Sequence, residues 1–104
     1  MKNYEALFIL KPDLNKEKIQ ELFNQINDTL TKNNARVISS SIWAEKRKLA
    51  YTVKKYKEGT YYLMNFHAEH LNLSKINEEY KINENILRIL ITRVEKEKEY
   101  GKPE

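Results

Sequence analysis

The chain contains no cysteine and only two glycines and two prolines among its 104 residues. Without cysteine it can form neither a disulfide framework nor a thiolate metal site. Two glycines leave few positions for the tight backbone turns of phosphate-cradling loops. No apolar run approaches the ~20 residues that cross a membrane, and the start enters a strand-like pattern instead of a signal peptide. These absences predict a protein of a reducing, cytoplasmic compartment with no cofactor and no membrane partner.

The charge of the chain is unevenly distributed. Residues 36 to 57 contain seven Lys or Arg and one acid, a net charge of +6. Because the whole chain carries +4, the remaining residues net −2. A molecule polarised in this way attracts polyanions. Nucleic acid is therefore the first partner to consider.

The apolar pattern predicts the element order strand, helix, strand, strand, helix, strand. Strand-like runs lie at 4–10, 36–53 and 86–94, a third strand follows a turn at 54–59, and helical spacing covers about 15–33 and 72–81. In the last strand, Leu87, Ile89 and Ile91 are the predicted inner face. With right-handed crossovers this order closes into a four-stranded antiparallel sheet with both helices on one face, a ferredoxin-like α+β sandwich. We expect one domain over residues 1–95 and a charged, disordered tail over 96–104.

Such a sandwich leaves one sheet face without helices. The residues expected there are too apolar for a face that meets only water. We interpret this open face as an interface for a partner protein, formed by Glu5, Leu7, Ile9, Tyr61, Leu63, Ile86 and Leu90.

Motifs spread over residues 2 to 94 resemble those of one known family in their order and spacing. They are Tyr4-Glu5, Pro12, Ala35-Arg36-Val37, Trp43 with Lys46-Arg47-Lys48-Leu49-Ala50-Tyr51, Gly59 with Tyr61-Tyr62, and Asn85-Ile86-Leu87-Arg88. The family is that of ribosomal protein six of the bacterial small (30S) subunit. The chain departs from it at Ala44, Thr52 and Asn83, where the family usually has Gly, Pro and Asp.

The resemblance implies a structural constituent of the small ribosomal subunit. Such a protein binds 16S ribosomal RNA together with ribosomal protein eighteen during subunit assembly, and it has no catalytic residue, no metal and no small-molecule substrate. The implied location is on the ribosome in the cytoplasm. The sequence leaves open whether that ribosome is bacterial or organellar.

Clustered cations are the candidate RNA contacts. Lysines that keep an exposed sheet edge from aggregating would explain two or three of them, whereas contacts to RNA phosphates explain the whole set. Arg47 is the best candidate for a bidentate phosphate contact, because its planar guanidinium matches two oxygens. The predicted RNA-binding residues are Lys2, Arg36, Lys46, Arg47, Lys48, Lys54, Lys55, Lys57 and Arg88.

Two of these cations lie apart from the main window. Lys2 and Arg88 stand at the starts of neighbouring strands, and we expect them to meet RNA at one end of the sheet. An ion pair between Arg88 and Glu5 is an equally good interpretation. Trp43 is interpreted as a packing residue at a strand end.

Two other functions of the same fold, and a metal site, fit the sequence less well. An acylphosphatase-like hydrolase of the same topology needs a phosphate loop after the first strand, but residues 11–15 contain no Gly or Arg, and Pro12 removes an amide. A generic RNA-recognition module needs aromatic residues on the open face, which offers aliphatic ones. The His67 to His70 segment offers a metal only two imidazoles and a carboxylate.

Overall fold

The predicted elements are present, with one additional short helical turn. The computed structural model describes residues 1–94. Its elements are β1 (Lys2–Leu10), α1 (Lys16–Lys32), β2 (Arg36–Val53), β3 (Tyr56–Ala68), a 3-10 turn (His70–Asn72), α2 (Leu73–Lys81) and β4 (Ile86–Val94). The strands form one antiparallel sheet in the order β2-β3-β1-β4. This is the predicted ferredoxin-like arrangement, and the predicted tail at 96–104 lies outside the described residues.

Asparagines at both ends fix the limits of α1. The side chain of Asn15 accepts a 2.8 Å hydrogen bond from the backbone amide of Lys18 and caps the N-terminus. At the other end, Asn33 donates its side-chain amide to the carbonyl of Thr29 at 2.8 Å. Asn34 follows with a φ of 60°, a left-handed conformation that asparagine tolerates better than most residues. The helix predicted over about 15–33 is confirmed.

The core lies between the two helices and the inner face of the sheet. The ring of Phe8 in β1 packs edge to face on Tyr80 of α2, with centroids 5.0 Å apart. The hydroxyl of Tyr80 donates a 2.8 Å hydrogen bond to the carbonyl of Ile26, which joins the two helices. The remaining members of the core cluster are Tyr4, Ala6, Leu10, Leu22, Leu30, Tyr62, Met64, Phe66, Ala68, Ile76 and Ile86.

An irregularity at the start of β4 corrects the predicted faces of that strand. Ile9 lies opposite Arg88, but Leu10 lies opposite Ile86, so Leu87 has no position of its own in the ladder. An extra residue of this kind reverses the facing of whatever precedes it. Ile86 was predicted on the open face and is in the core, with 2% of its surface exposed. Ile89 and Ile91 pack against the core as predicted, whereas Leu87 is buried at the irregularity and outside the core cluster.

The β2–β3 hairpin closes on a shorter turn than predicted. β3 begins at Tyr56, so the turn consists of Lys54 and Lys55, with φ angles of 49° and 75°. Positive φ at both central residues is typical of the type I′ turn, which favours Asn-Gly. Because β1 pairs with β3 only as far as Thr60, the tip of the hairpin extends beyond the end of β1.

Gly59 lies where the hairpin leaves β1. A Cβ atom at this position would clash with the Cγ2 atom of Ile9 and approach the carbonyl oxygen of Leu10 to 3.4 Å. The close approach of the two strands therefore requires glycine here.

Candidate nucleic-acid and protein interfaces

Seven of the nine predicted RNA-binding cations lie on the β2–β3 hairpin, six of them in the half nearest the turn, and all seven are exposed. The hairpin is one continuous element, since β2 pairs with β3 from Arg36–His67 to Val53–Tyr56. In the half of β3 nearest the turn, the acid Glu58 lies opposite Lys48. The cations that the tip half of this element brings together are Lys46, Arg47, Lys48, Lys54, Lys55 and Lys57.

Arg36 and Lys2 form a separate basic pair at the opposite end of the sheet. Arg36 lies opposite His67 and Lys2 lies opposite Ala68, at the end of β3 farthest from the turn. The expectation that Lys2 and Arg88 share one end was wrong. β1 and β4 are antiparallel, with Asn3 opposite Val94, so the starts of the two strands lie at opposite ends.

Arg88 belongs instead to the hairpin end of the sheet. Its Nη1 atom donates a 2.7 Å hydrogen bond to the hydroxyl of Tyr51, and its guanidinium carbon lies 5.8 Å from the centroid of the same ring. Glu5 lies opposite Thr92, further along β4. The alternative pairing of Arg88 with Glu5 is therefore not formed.

Trp43 occupies a position that the sequence did not indicate. It lies in the middle of β2, where the pairing register shifts between Ile42 and Ala44, and 60% of its surface is exposed. Its ring packs edge to face on Tyr61 at 5.9 Å, and the Arg47 guanidinium carbon lies 5.9 Å from its centroid. Trp43 is therefore not the predicted packing residue at a strand end. It is an exposed ring between the Arg47 guanidinium and the open face.

The open face of the sheet carries a groove of about 340 Å³. Four of the predicted partner residues line it, and Ile9 and Tyr61 lie opposite each other on the same face. Leu90 is 61% exposed, which is unusual for a leucine in a strand. Sequence reasoning missed two lining residues, because the register shift in β2 and the pairing of β4 are not visible in a pattern. The lining residues are Glu5, Leu7, Trp43, Leu63, Leu90 and Thr92.

The alternative sites have ordinary structural roles in the described part of the chain. Asn15, in the loop where a hydrolase would cradle phosphate, uses its side chain to cap α1. His70 lies 3.4 Å from the hydroxyl of Tyr4 through its Nδ1 atom. Within residues 1–94 no group of three His, Asp or Glu side chains is placed to hold a metal ion. In the same range, neither helix has the length and apolar character needed to span a bilayer.

Comparisons with known sequences and with solved structures point to the same protein family. The family described as Ribosomal protein S6 matches residues 3–93. The small ribosomal subunit protein bS6 of Helicobacter acinonychis is 39% identical over 99 residues, which cover 95% of this chain and 69% of that protein. The bS6 protein of Synechocystis is 34% identical over 96 residues, covering 92% and 84%. The crystal structure of 30S ribosomal protein S6 from Thermotoga maritima is similar in fold, with a TM-score of 0.80 at 24% identity, covering 89% of this chain and 87% of that one.

Proposed function

Because the chain belongs to the ribosomal protein S6 family of the small subunit, we propose that it binds 16S ribosomal RNA together with ribosomal protein eighteen during subunit assembly. The family consists of structural ribosomal proteins and not of enzymes. As one of them, the chain acts on the ribosome in the cytoplasm. The observation that carries the finer proposal is the exposed cationic hairpin beside an open apolar groove.

The hairpin is the RNA-binding part of the proposal. The six lysine and arginine side chains of its tip half are exposed, so they can reach phosphates without unfolding the sheet. Neutralising phosphates releases condensed counterions, which makes affinity strongly dependent on salt. The planar guanidinium of Arg47 is the group best suited to a bidentate phosphate contact. Lys2 and Arg36, at the far end of the sheet, provide a second and smaller contact.

The groove is the protein-binding part of the proposal. Its walls are mainly the aliphatic side chains of Leu7, Leu63 and Leu90, with the indole of Trp43. An exposed apolar groove bounded by polar groups is typical of a protein interface. Glu5 places a carboxylate in the lining, so a partner that presents aliphatic side chains and a cation complements it. We infer that protein eighteen presents a surface of this kind.

The two surfaces meet at one pair of side chains. The Arg47 guanidinium lies over the Trp43 ring, while the same ring lines the apolar groove. A partner that packs on Trp43 would therefore also limit the motion of Arg47, whose immobilisation would otherwise reduce the affinity for RNA. We expect RNA and protein eighteen to bind cooperatively, each increasing the affinity for the other.

Sedimentation of the purified protein with small subunits tests the proposal. We expect the protein to cosediment with subunits assembled from 16S rRNA and protein eighteen, to be removed by high salt, and to bind less when protein eighteen is omitted. Binding that does not change with salt would contradict the role of the hairpin. Binding that does not change without protein eighteen would contradict the role of the groove.

A further inference from the structure

A second cleft lies where the tip of the hairpin approaches the end of α2 and the start of β4. It has a volume of about 400 Å³. Three of its described lining residues are cations and none is a carboxylate. The remaining walls are aliphatic. The lining consists of Lys54, Lys81, Ile86, Leu87, Arg88 and Ile89.

The three cations come from three separate elements. Lys54 comes from the hairpin turn, Lys81 from the last turn of α2, and Arg88 from β4. Arg88 is held by its hydrogen bond to Tyr51, which lies on the hairpin. Lys81 lies far from the cationic window of residues 36–57, so the charge pattern of the sequence did not indicate it. Only the fold brings it to this cleft.

The three cations line one cleft without a carboxylate among them. Like charges repel each other, although solvent screens the repulsion between exposed side chains. A bound anion would reverse the sign of this interaction. A lysine in the last turn of a helix also interacts favourably with the helix dipole. That role accounts for Lys81 but not for the presence of Lys54 and Arg88 beside it.

The backbone of the turn supplies an independent argument. Both Lys54 and Lys55 have positive φ, a conformation that glycine and asparagine adopt with less strain than lysine. The two-residue turn needs this conformation, and strained residues are also enriched at binding sites. Here the strain accompanies the placement of a lysine in the cleft.

We propose that Lys54, Lys81 and Arg88 together bind one backbone phosphate of the RNA, so that α2 belongs to the RNA-binding surface. This inference rests on the proposed function, because it presupposes that the protein binds ribosomal RNA. It adds a specific phosphate site between the hairpin and the second helix. The hairpin tip would then be fixed against the body of the protein when RNA binds.

The test compares Lys81→Gln with Lys75→Gln, an exposed lysine on the same helix that does not line the cleft. Each full-length variant is titrated with a 16S rRNA transcript in the presence of protein eighteen, at several salt concentrations. For Lys81→Gln we expect roughly threefold to tenfold weaker binding and a slope of log affinity against log salt smaller by about 0.7 to 0.9. Lys75→Gln and Lys81→Arg should bind as the parent does. The thermal midpoints should change only slightly, because both lysines are exposed.

A second variant tests the turn. Lys54→Asn combined with Lys55→Gly provides the preferred type I′ residues, so we expect a higher thermal midpoint together with weaker RNA binding. Parental affinity and salt slope in Lys81→Gln, while Arg47→Glu loses binding, would overturn the phosphate site and leave the proposed function intact. An equal loss in Lys75→Gln would overturn it too, because net charge would then be the cause. Failure of the parent protein to bind the transcript would contradict the proposed function itself.

Discussion

Arg88 donates a 2.7 Å hydrogen bond to the hydroxyl of Tyr51 and thereby joins the two opposite edge strands of the sheet. β2 and β4 are separated by β3 and β1 in the sheet. The contact is made where the hairpin extends past the end of β1, because β1 pairs with β3 only as far as Thr60. As a result, a cation of the last strand becomes part of the basic surface of the hairpin.

Tyr51→Phe should weaken RNA binding without weakening the fold. The substitution keeps the ring beside Arg88 but removes the hydroxyl that orients the guanidinium. Since Tyr51 is 57% exposed, we expect the free energy of unfolding to change by less than about 0.5 kcal/mol. RNA affinity should fall about twofold to fivefold, because losing one neutral partner changes binding by roughly 0.5–1 kcal/mol.

Tyr56→Phe is the matched control, since it deletes the same atom from the same hairpin. The ring of Tyr56 that lies 5.8 Å from Lys11 is retained in that variant. Equal affinities for Tyr51→Phe and the parent protein would show that the hydrogen bond does not contribute to the orientation of Arg88 in the complex.

Reversing the charges of Arg47 and Lys48 should reduce RNA assembly and leave the fold intact. Both side chains are exposed on β2, so their replacement by Glu should change stability little. Two phosphate contacts would be lost, and the slope of log affinity against log salt should fall by about 1.4 to 1.8. Circular dichroism checks the fold, and filter binding at several salt concentrations checks the slope. Undiminished binding with a parental slope would exclude this part of the hairpin from the RNA surface.

Much of the fold could be predicted from local patterns because those patterns have local causes. Asn15 caps α1 through its own side chain, and strict alternation in β3 places Met64 and Phe66 in the core. The facing of Ile86 could not be predicted in this way. It depends on one unpaired residue opposite β1, and a single insertion moves a side chain to the other face.

The candidate site was predictable to the extent that it is contiguous in sequence. Residues 46–57 form the tip of one hairpin, so their charges stay together in space. Arg36 lies at the far end of the same long strand, and Lys81 reaches the tip of the hairpin from α2. Both placements depend on strand length and on helix packing. Neither leaves a periodic signal in the sequence.

Leu63→Asp should prevent binding of protein eighteen before it affects stability. Leu63 is half-buried in the groove of the open face, beside Trp43 and Leu90. A carboxylate there would remain hydrated in the free protein but would be buried without a partner in the complex, at a cost of several kcal/mol. We expect binding, measured by calorimetry, to weaken at least a hundredfold while the protein remains folded.

Leu71→Asp is the control for that experiment. Leu71 is 90% exposed in the 3-10 turn and lies outside the groove, so this variant should bind protein eighteen normally. Unfolding of Leu63→Asp would place Leu63 in the core of the protein instead of at an interface. Normal binding by Leu63→Asp would exclude the groove as the docking site.

Tyr80→Phe should lower the free energy of unfolding at neutral pH. It should also make that free energy fall less steeply at alkaline pH. Burial raises the pKa of the Tyr80 phenol far above its ordinary value, and the neighbouring Tyr62 and Glu79 raise it further. An unfolded chain releases this proton near pH 10, whereas the folded protein retains it. The stabilising contribution is therefore complete below pH 10 and is lost as the pH rises, by up to about 1.4 kcal/mol per pH unit.

Removing the phenol removes this proton and the 2.8 Å hydrogen bond to Ile26. We expect a loss of about 1 kcal/mol at pH 7, followed by a shallower decline between pH 10 and 11 than in the parent protein. Urea unfolding across this range measures both effects. A decline in Tyr80→Phe as steep as in the parent would mean that another group causes the alkaline loss. The contact between α1 and α2 through Tyr80 would then not be the part of the fold that is sensitive to high pH.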